Sequence, residues 1–201
     1  MNSIYDFIIS PKKSRYNNSK KVGDKTLILN TEIYNHQYVS RKATVKSTPI
    51  AIPTKIQVGD EVIVHHNIFR RWENIKKEEK NSRSYIDENT YCVKEDQIFS
   101  YKRGDKWIAA DGFCFVKPIK STDKFSSDQE KECVGILKQS NKALLEFGLK
   151  EGDLVGFTPA STYEFIIDGE RLYRVLTSQI TIKYEHQGNE EEYNPSWASS
   201  S

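Results

Sequence analysis

The chain has 201 residues, in which 30 Lys and Arg nearly balance 28 Asp and Glu for a formal net charge of +2. That length suits one large β domain or two small ones, and the interspersed charges of both signs give no basic face for nucleic acid. No window approaches 18 consecutive apolar residues and the N-terminus has no apolar signal core, so a soluble, cytoplasmic protein without a membrane partner is expected.

In chain order, Tyr5 to Pro11 reads as a first strand, closed by Pro11 and the basic Lys12-Lys13. A long loop over 14–42 follows. Its first part is Asn, Ser, Lys and Gly without periodicity, which predicts mobility, and its middle carries an apolar triplet, Leu27-Ile28-Leu29. The triplet has two readings, an exposed docking element or a core strand over Thr26 to Ile33, and periodicity does not separate them. Ala43 to Val45 resumes strand character, and Pro49 and Pro53 mark a turn region. The Gly59-Asp60 turn then launches Glu61 to His65. Residues 70–89 form a charged excursion of mixed sign, read as a solvated loop. Thr90 to Tyr101 is strand-like, and the first domain closes at 104.

Trp107 to Pro118 is a second beginning, again a Phe-rich strand stopped by Pro, so a second domain is placed over 105–187. A polar connector leads to Val134 to Leu137. Asn141 to Gly148 is the longest helical candidate, only eight residues, and the second Gly-Asp turn follows at Gly152-Asp153. An Asp168-Gly169 hairpin and the alternating Ile180 to Tyr184 finish the unit. The tail, 188–201, reads either as a disordered end or as an anchor that docks Trp197 on a neighbouring subunit.

The two halves share a syntax. Val58-Gly59-Asp60-Glu61-Val62 returns as Glu151-Gly152-Asp153-Leu154-Val155, 93 residues on (152 minus 59), which is the spacing of a domain rather than of a solenoid repeat. Strand, loop, strand, Gly-Asp strand, hairpin and last strand occur twice, the series from which small all-β barrels are built. Asp60 and Asp153 read as turn residues bonded to their own backbone, not as catalytic carboxylates.

Chemistry of other kinds has no foothold. There is no Gly-x-Ser-x-Gly elbow, Walker loop, GxGxxG or HExxH, so no catalytic residue is assigned and no enzyme is expected. Adjacent His65 and His66, if on a strand, point to opposite faces and cannot share an ion, so no metal site is assigned either. Cys92, Cys114 and Cys133 form no CxxC pair and suit a reducing compartment.

These stretches resemble the chaperonin-10, or GroES-like, co-chaperonins. Ile56 to Val64 with Tyr91 to Tyr101, and Gly148 to Phe157 with Ile166 to Tyr184, are similar to the family's Val-Gly-Asp strand, hairpin and closing strand. The resemblance implies two tandem GroES-like small β-barrels with a long loop after the first strand. It further implies a homo-oligomeric lid that binds a chaperonin ring and assists folding, with no cofactor of its own and with ATP used by the ring. Leu27, Ile28 and Leu29 match the family's docking triplet and are the chaperonin-binding residues it implies. The second connector has no such triplet. High Asn, Lys, Ile and Tyr usage fits an AT-rich genome such as a phage's, and the alternative to a lid is a β-barrel structural or adaptor protein of a viral particle without chaperonin binding.

Overall fold

The computed structural model describes residues 3–16, 19–22, 25–28, 39–122, 129–159 and 162–195. The chain divides into two compact units, Met1–Lys106 and Trp107–Ser201. Unit 1 contains β1 (Phe7–Pro11), β2 (Ser19–Val22), β3 (Lys25–Ile28), β4 (Lys42–Ser47), β5 (Glu61–Val64), β6 (Arg71–Glu73), β7 (Glu79–Asn81), β8 (Tyr85–Asp87), β9 (Thr90–Val93) and β10 (Ile98–Arg103). The division falls within β11 (Lys106–Ala109). Unit 2 continues with β12 (Phe113–Lys120), β13 (Glu130–Gln139), a single turn of helix α1 (Lys142–Glu146), β14 (Leu154–Phe157), β15 (Tyr163–Ile167), β16 (Glu170–Leu176) and β17 (Ile180–Tyr184). The fold is all-β and every strand pairing given a register is antiparallel. Among the described residues no helix is long and apolar enough to cross a membrane.

One large sheet runs β11-β10-β5-β4-β1-β9-β8 and the other β15-β16-β12-β13-β14-β17. From β10 to β8 and from β17 to β15 the order is the same, and so is the register. Ile9 faces Val45 and Pro11 faces Ala43, as Val116 faces Leu137 and Pro118 faces Gly135. Ile9 also faces Tyr91, as Val116 faces Tyr173. The β-bulges recur too, between Ile8 and Ile9 and between Phe115 and Val116. Matching core positions are filled by Ile9 and Val116, Val45 and Leu137, Val62 and Val155, and Val93 and Val175, all essentially inaccessible.

The matched pairs locate the differences. Pro11 and Pro118 are 107 residues apart, and Ala43 and Gly135 are 92 apart, so unit 1 is 15 residues longer between its first two matched strands. Gly59 and Gly152 are 93 apart and Tyr91 and Tyr173 are 82 apart, so it is 11 residues longer again before β9. Among the described residues the longer segments of unit 1 contain β2-β3 and β6-β7, two hairpins that form their own small sheets.

The expected barrels do not close. Closure requires the two edge strands of a sheet to pair along a continuous ladder. Among the described residues no ladder joins the edge strands β8 and β11 of one sheet or β15 and β17 of the other, and both sheets are open. β8 has only three residues, and β17 is exposed along four of its five, so neither edge is covered as a barrel seam would be. The tail also departs from the disordered-end reading. Ile119 bridges Glu192, and residues 191–193 hydrogen-bond to Pro118 and Lys120. Trp197 lies outside the described residues.

Candidate functional site

The hairpin β2-β3 pairs Ser19 with Ile28 and Val22 with Lys25. Two of the three residues assigned to docking, Leu27 and Ile28, therefore stand in a strand, but one that belongs to neither large sheet. Leu29 lies outside the described residues. The loop expected over 14–42 thus contains regular structure within it.

Both ends of that loop are pinned at its base. Tyr16 bridges Val39, and the Ser40 N–H donates to the Arg15 carbonyl at 2.8 Å. Arg15 is 5% exposed, and its guanidinium reaches across to the second extra segment. It donates to the Phe69 carbonyl (3.3 Å), Glu88 Oε1 (3.1 Å) and Asn81 Oδ1 (2.8 Å), and lies 5.0 Å from the Tyr85 ring centre and 5.6 Å from that of Tyr91. The Arg71 N–H donates to the Tyr16 hydroxyl at 2.8 Å, and Ser82 Oγ donates to the Ile68 carbonyl. A delocalised, weakly hydrated guanidinium suits such a dry, aromatic-lined place. Burial raises the Tyr91 phenol pKa well above the tyrosine range, with the nearby Arg15 charge opposing. Sequence reasoning gave Arg15 no role, because its hydrogen-bond partners lie 54 to 73 residues away.

Unit 2 places a guanidinium by the matching tyrosine from a different part of the chain. Arg171 lies 4.9 Å from the Tyr173 ring centre, pairs with Glu164 at 2.7 Å and Glu130 at 2.6 Å, and donates to the Tyr173 hydroxyl. Burial, reinforced by the hydrogen bond to Glu130, raises the Tyr173 pKa.

Unit 2 also holds a pocket of about 620 Å³ walled by Leu144, Phe147, Leu149, Ile180 and Ile182, with Thr177 at its edge. Asn141 ties two of its lining residues, Leu144 and Thr177, together from behind. Its Oδ1 accepts from the Leu144 N–H at 3.0 Å and caps α1, while Nδ2 donates to the Phe113 carbonyl at 2.7 Å and to Thr177 Oγ1 at 2.5 Å. The helix expected over Asn141 to Gly148 is thus one turn, with Asn141 as its cap and Gly148 at a φ of 76° just beyond it. The pocket escaped sequence reasoning because its walls come from strands and turns far apart in the chain.

Titratable groups are otherwise dispersed. His65 and His66 are not on a strand; they open a 3-10 turn and their rings stack at 4.4 Å. Among the described residues no three His, Cys, Asp or Glu side chains gather to hold a metal ion. The Cys114 thiol is pushed up to about 12 by burial, which keeps it protonated and unreactive. No family model matches the chain, and no curated protein matches it in sequence.

Proposed function

We propose that the protein is a co-chaperonin-like lid that binds a chaperonin ring through the β2-β3 hairpin and assists folding without catalysis of its own. The observation that carries the proposal is the asymmetry between two otherwise register-matched units. Among the described residues only unit 1 has a separate hairpin between its first two matched strands; its strands include Leu27 and Ile28, and the segment's base is fixed by Arg15 and Tyr16. A pair of GroES-like units, open rather than closed into barrels, is the architecture this reading uses. Docking by a small apolar element gives weak single contacts, which a homo-oligomer on a ring converts into avidity while release stays possible. ATP hydrolysis belongs to the ring.

A second reading is favoured by the apolar surface around the unit 2 pocket, where Leu145, Phe147 and Ile182 are all exposed. A structural or adaptor protein, of a viral particle for example, would use such a surface and need no chaperonin.

Light scattering with a chaperonin ring and ATP separates the two. The natural chain is expected to bind only with nucleotide, and Ile28→Asp to abolish binding while leaving the circular dichroism spectrum unchanged. Absence of nucleotide-dependent binding by the natural chain overturns the lid; equal binding by both forms removes the hairpin from it.

A further inference from the structure

Among the described residues Lys117 is the one lysine with a fully buried side chain, and its hydrogen-bond and ion-pair partners come from the C-terminal tail. Its Nζ donates to Asn194 Oδ1 and lies 4.0 Å from Glu192. The tail is fastened along the edge of β12 that β16 leaves beyond Val116. The Lys120 N–H donates to the Glu191 carbonyl at 2.8 Å and the Tyr193 N–H to the Pro118 carbonyl at 2.9 Å. Glu191 pairs with Lys120 at 2.5 Å, Glu192 with Lys138 at 2.7 Å, and the Tyr193 ring centre sits 5.5 Å from the Arg171 guanidinium.

This arrangement is not required by the fold. Register matching puts Ser10 of unit 1 where Lys117 stands, and the strands there pair identically without a buried lysine. A desolvated ammonium is costly, so its presence under a tail of glutamates asks for another reason. The fastening is also light. Glu191 and Glu192 keep 69% and 40% of their side-chain surface exposed, and such pairs are weak and screened by salt.

We infer that residues 190–194 are a displaceable strap on a binding groove formed by the β12 edge with Lys117, Lys120 and Lys138, and that the groove takes an extended, carboxylate-rich segment of a partner protein. Backbone pairing with the edge supplies affinity and the three lysines select acidic side chains. The strap competes in cis. A second copy's tail offers the same contacts without that effective concentration and loses, whereas a partner with more carboxylates displaces it.

The probe is a fluorescein-labelled peptide of residues 187–195, read by anisotropy against the full natural chain and the full chain carrying Glu191→Ala, Glu192→Ala and Asn194→Ala. The substituted chain is expected to bind at least about tenfold more tightly, because its own strap no longer competes. Affinity should fall with added salt, and a peptide with the three glutamates changed to Gln should bind about tenfold more weakly. Equal binding by both chains, no binding by the substituted one, or indifference to the Gln changes overturns the inference. Dimers formed by tail exchange in the natural chain would overturn it as well. Because an uncovered Lys117 threatens folding, hydrogen exchange of the natural chain provides the second measurement. The Lys120 and Tyr193 amides should exchange faster in high salt while the Leu137 amide, bonded within the Gly-Asp corner, does not; unchanged Lys120 and Tyr193 exchange again overturns it.

Discussion

Asp60 and Asp153 show how literally a short phrase dictates local structure. In each, Oδ2 accepts a backbone N–H from three residues earlier, Gln57 at 2.8 Å and Lys150 at 2.9 Å. The preceding glycines adopt φ of 93° and 94°, where a side chain would be strained. That much is legible in sequence, because Gly-Asp turn chemistry is local. The cations that complete the sites are not: Arg103 meets Asp60 at 2.9 Å and Lys183 meets Asp153 at 2.7 Å, from unmatched positions. Burial opposes ionisation of Asp153, yet the Lys183 and Lys150 hydrogen bonds hold its pKa below the usual carboxylate value. A carboxyl depressed in the folded state stabilises above its unfolded pKa and loses that contribution as pH falls through its folded one. Asp153→Asn is therefore expected to cost about 1–3 kcal/mol at neutral pH. In urea titrations the gap between natural and substituted chains should close as pH falls below about 4, the unfolded carboxylate value.

At the scale of elements, matched register turns a comparison within one molecule into a prediction. Gly135 occupies the place of Ala43, but a Cβ there would lie 2.3 Å from the Lys117 carbonyl oxygen and 2.6 Å from Val116 Cγ1. Gly135→Ala should therefore cost about 1–3 kcal/mol by overpacking, whereas Ala43→Gly costs about 0.5–1 kcal/mol; chemical denaturation of the two substituted chains makes the comparison. Asn141→Ala removes the α1 cap together with the ties to Phe113 and Thr177, and is expected to cost about 1–2 kcal/mol. The same change should raise binding of an apolar dye at the loosened pocket wall. Strand existence is well announced by alternation in this chain, while barrel closure is not. Alternation reports which faces are buried; closure depends on tilt, stagger and the meeting of edges. The tail escaped for a related reason: its residues from 191 to 195 are mostly exposed and polar, and the backbone pairing and lysine contacts that hold them come from strands more than 50 residues away.

For the whole molecule, the doubled phrase correctly announces two copies of one strand order, and the extra chain of unit 1 falls into just two insertions. Their junction is Arg15. Arg15→Ala removes a buried cation that joins Glu88, Asn81, Phe69 and two tyrosine rings, and should cost about 2 kcal/mol or more. Replacing residues 73–79 by a two-residue turn shortens a hairpin that pairs only with itself, and should shift the thermal midpoint less than Arg15→Ala does. Scanning calorimetry ranks the two. No local pattern marks Arg15, since its partners are assembled by the fold.

The shared bulges and register have a practical meaning for experiments on this chain. Unit 2 is a reference copy of unit 1 that carries neither insertion, under the same solvent and at the same concentration. Transplanting 12–41 from unit 1 between Pro118 and Val134 asks whether the hairpin works by its own sequence or needs the partners that Arg15 finds in unit 1. The internal duplication thereby supplies the control that a single-copy protein would have to borrow from another species.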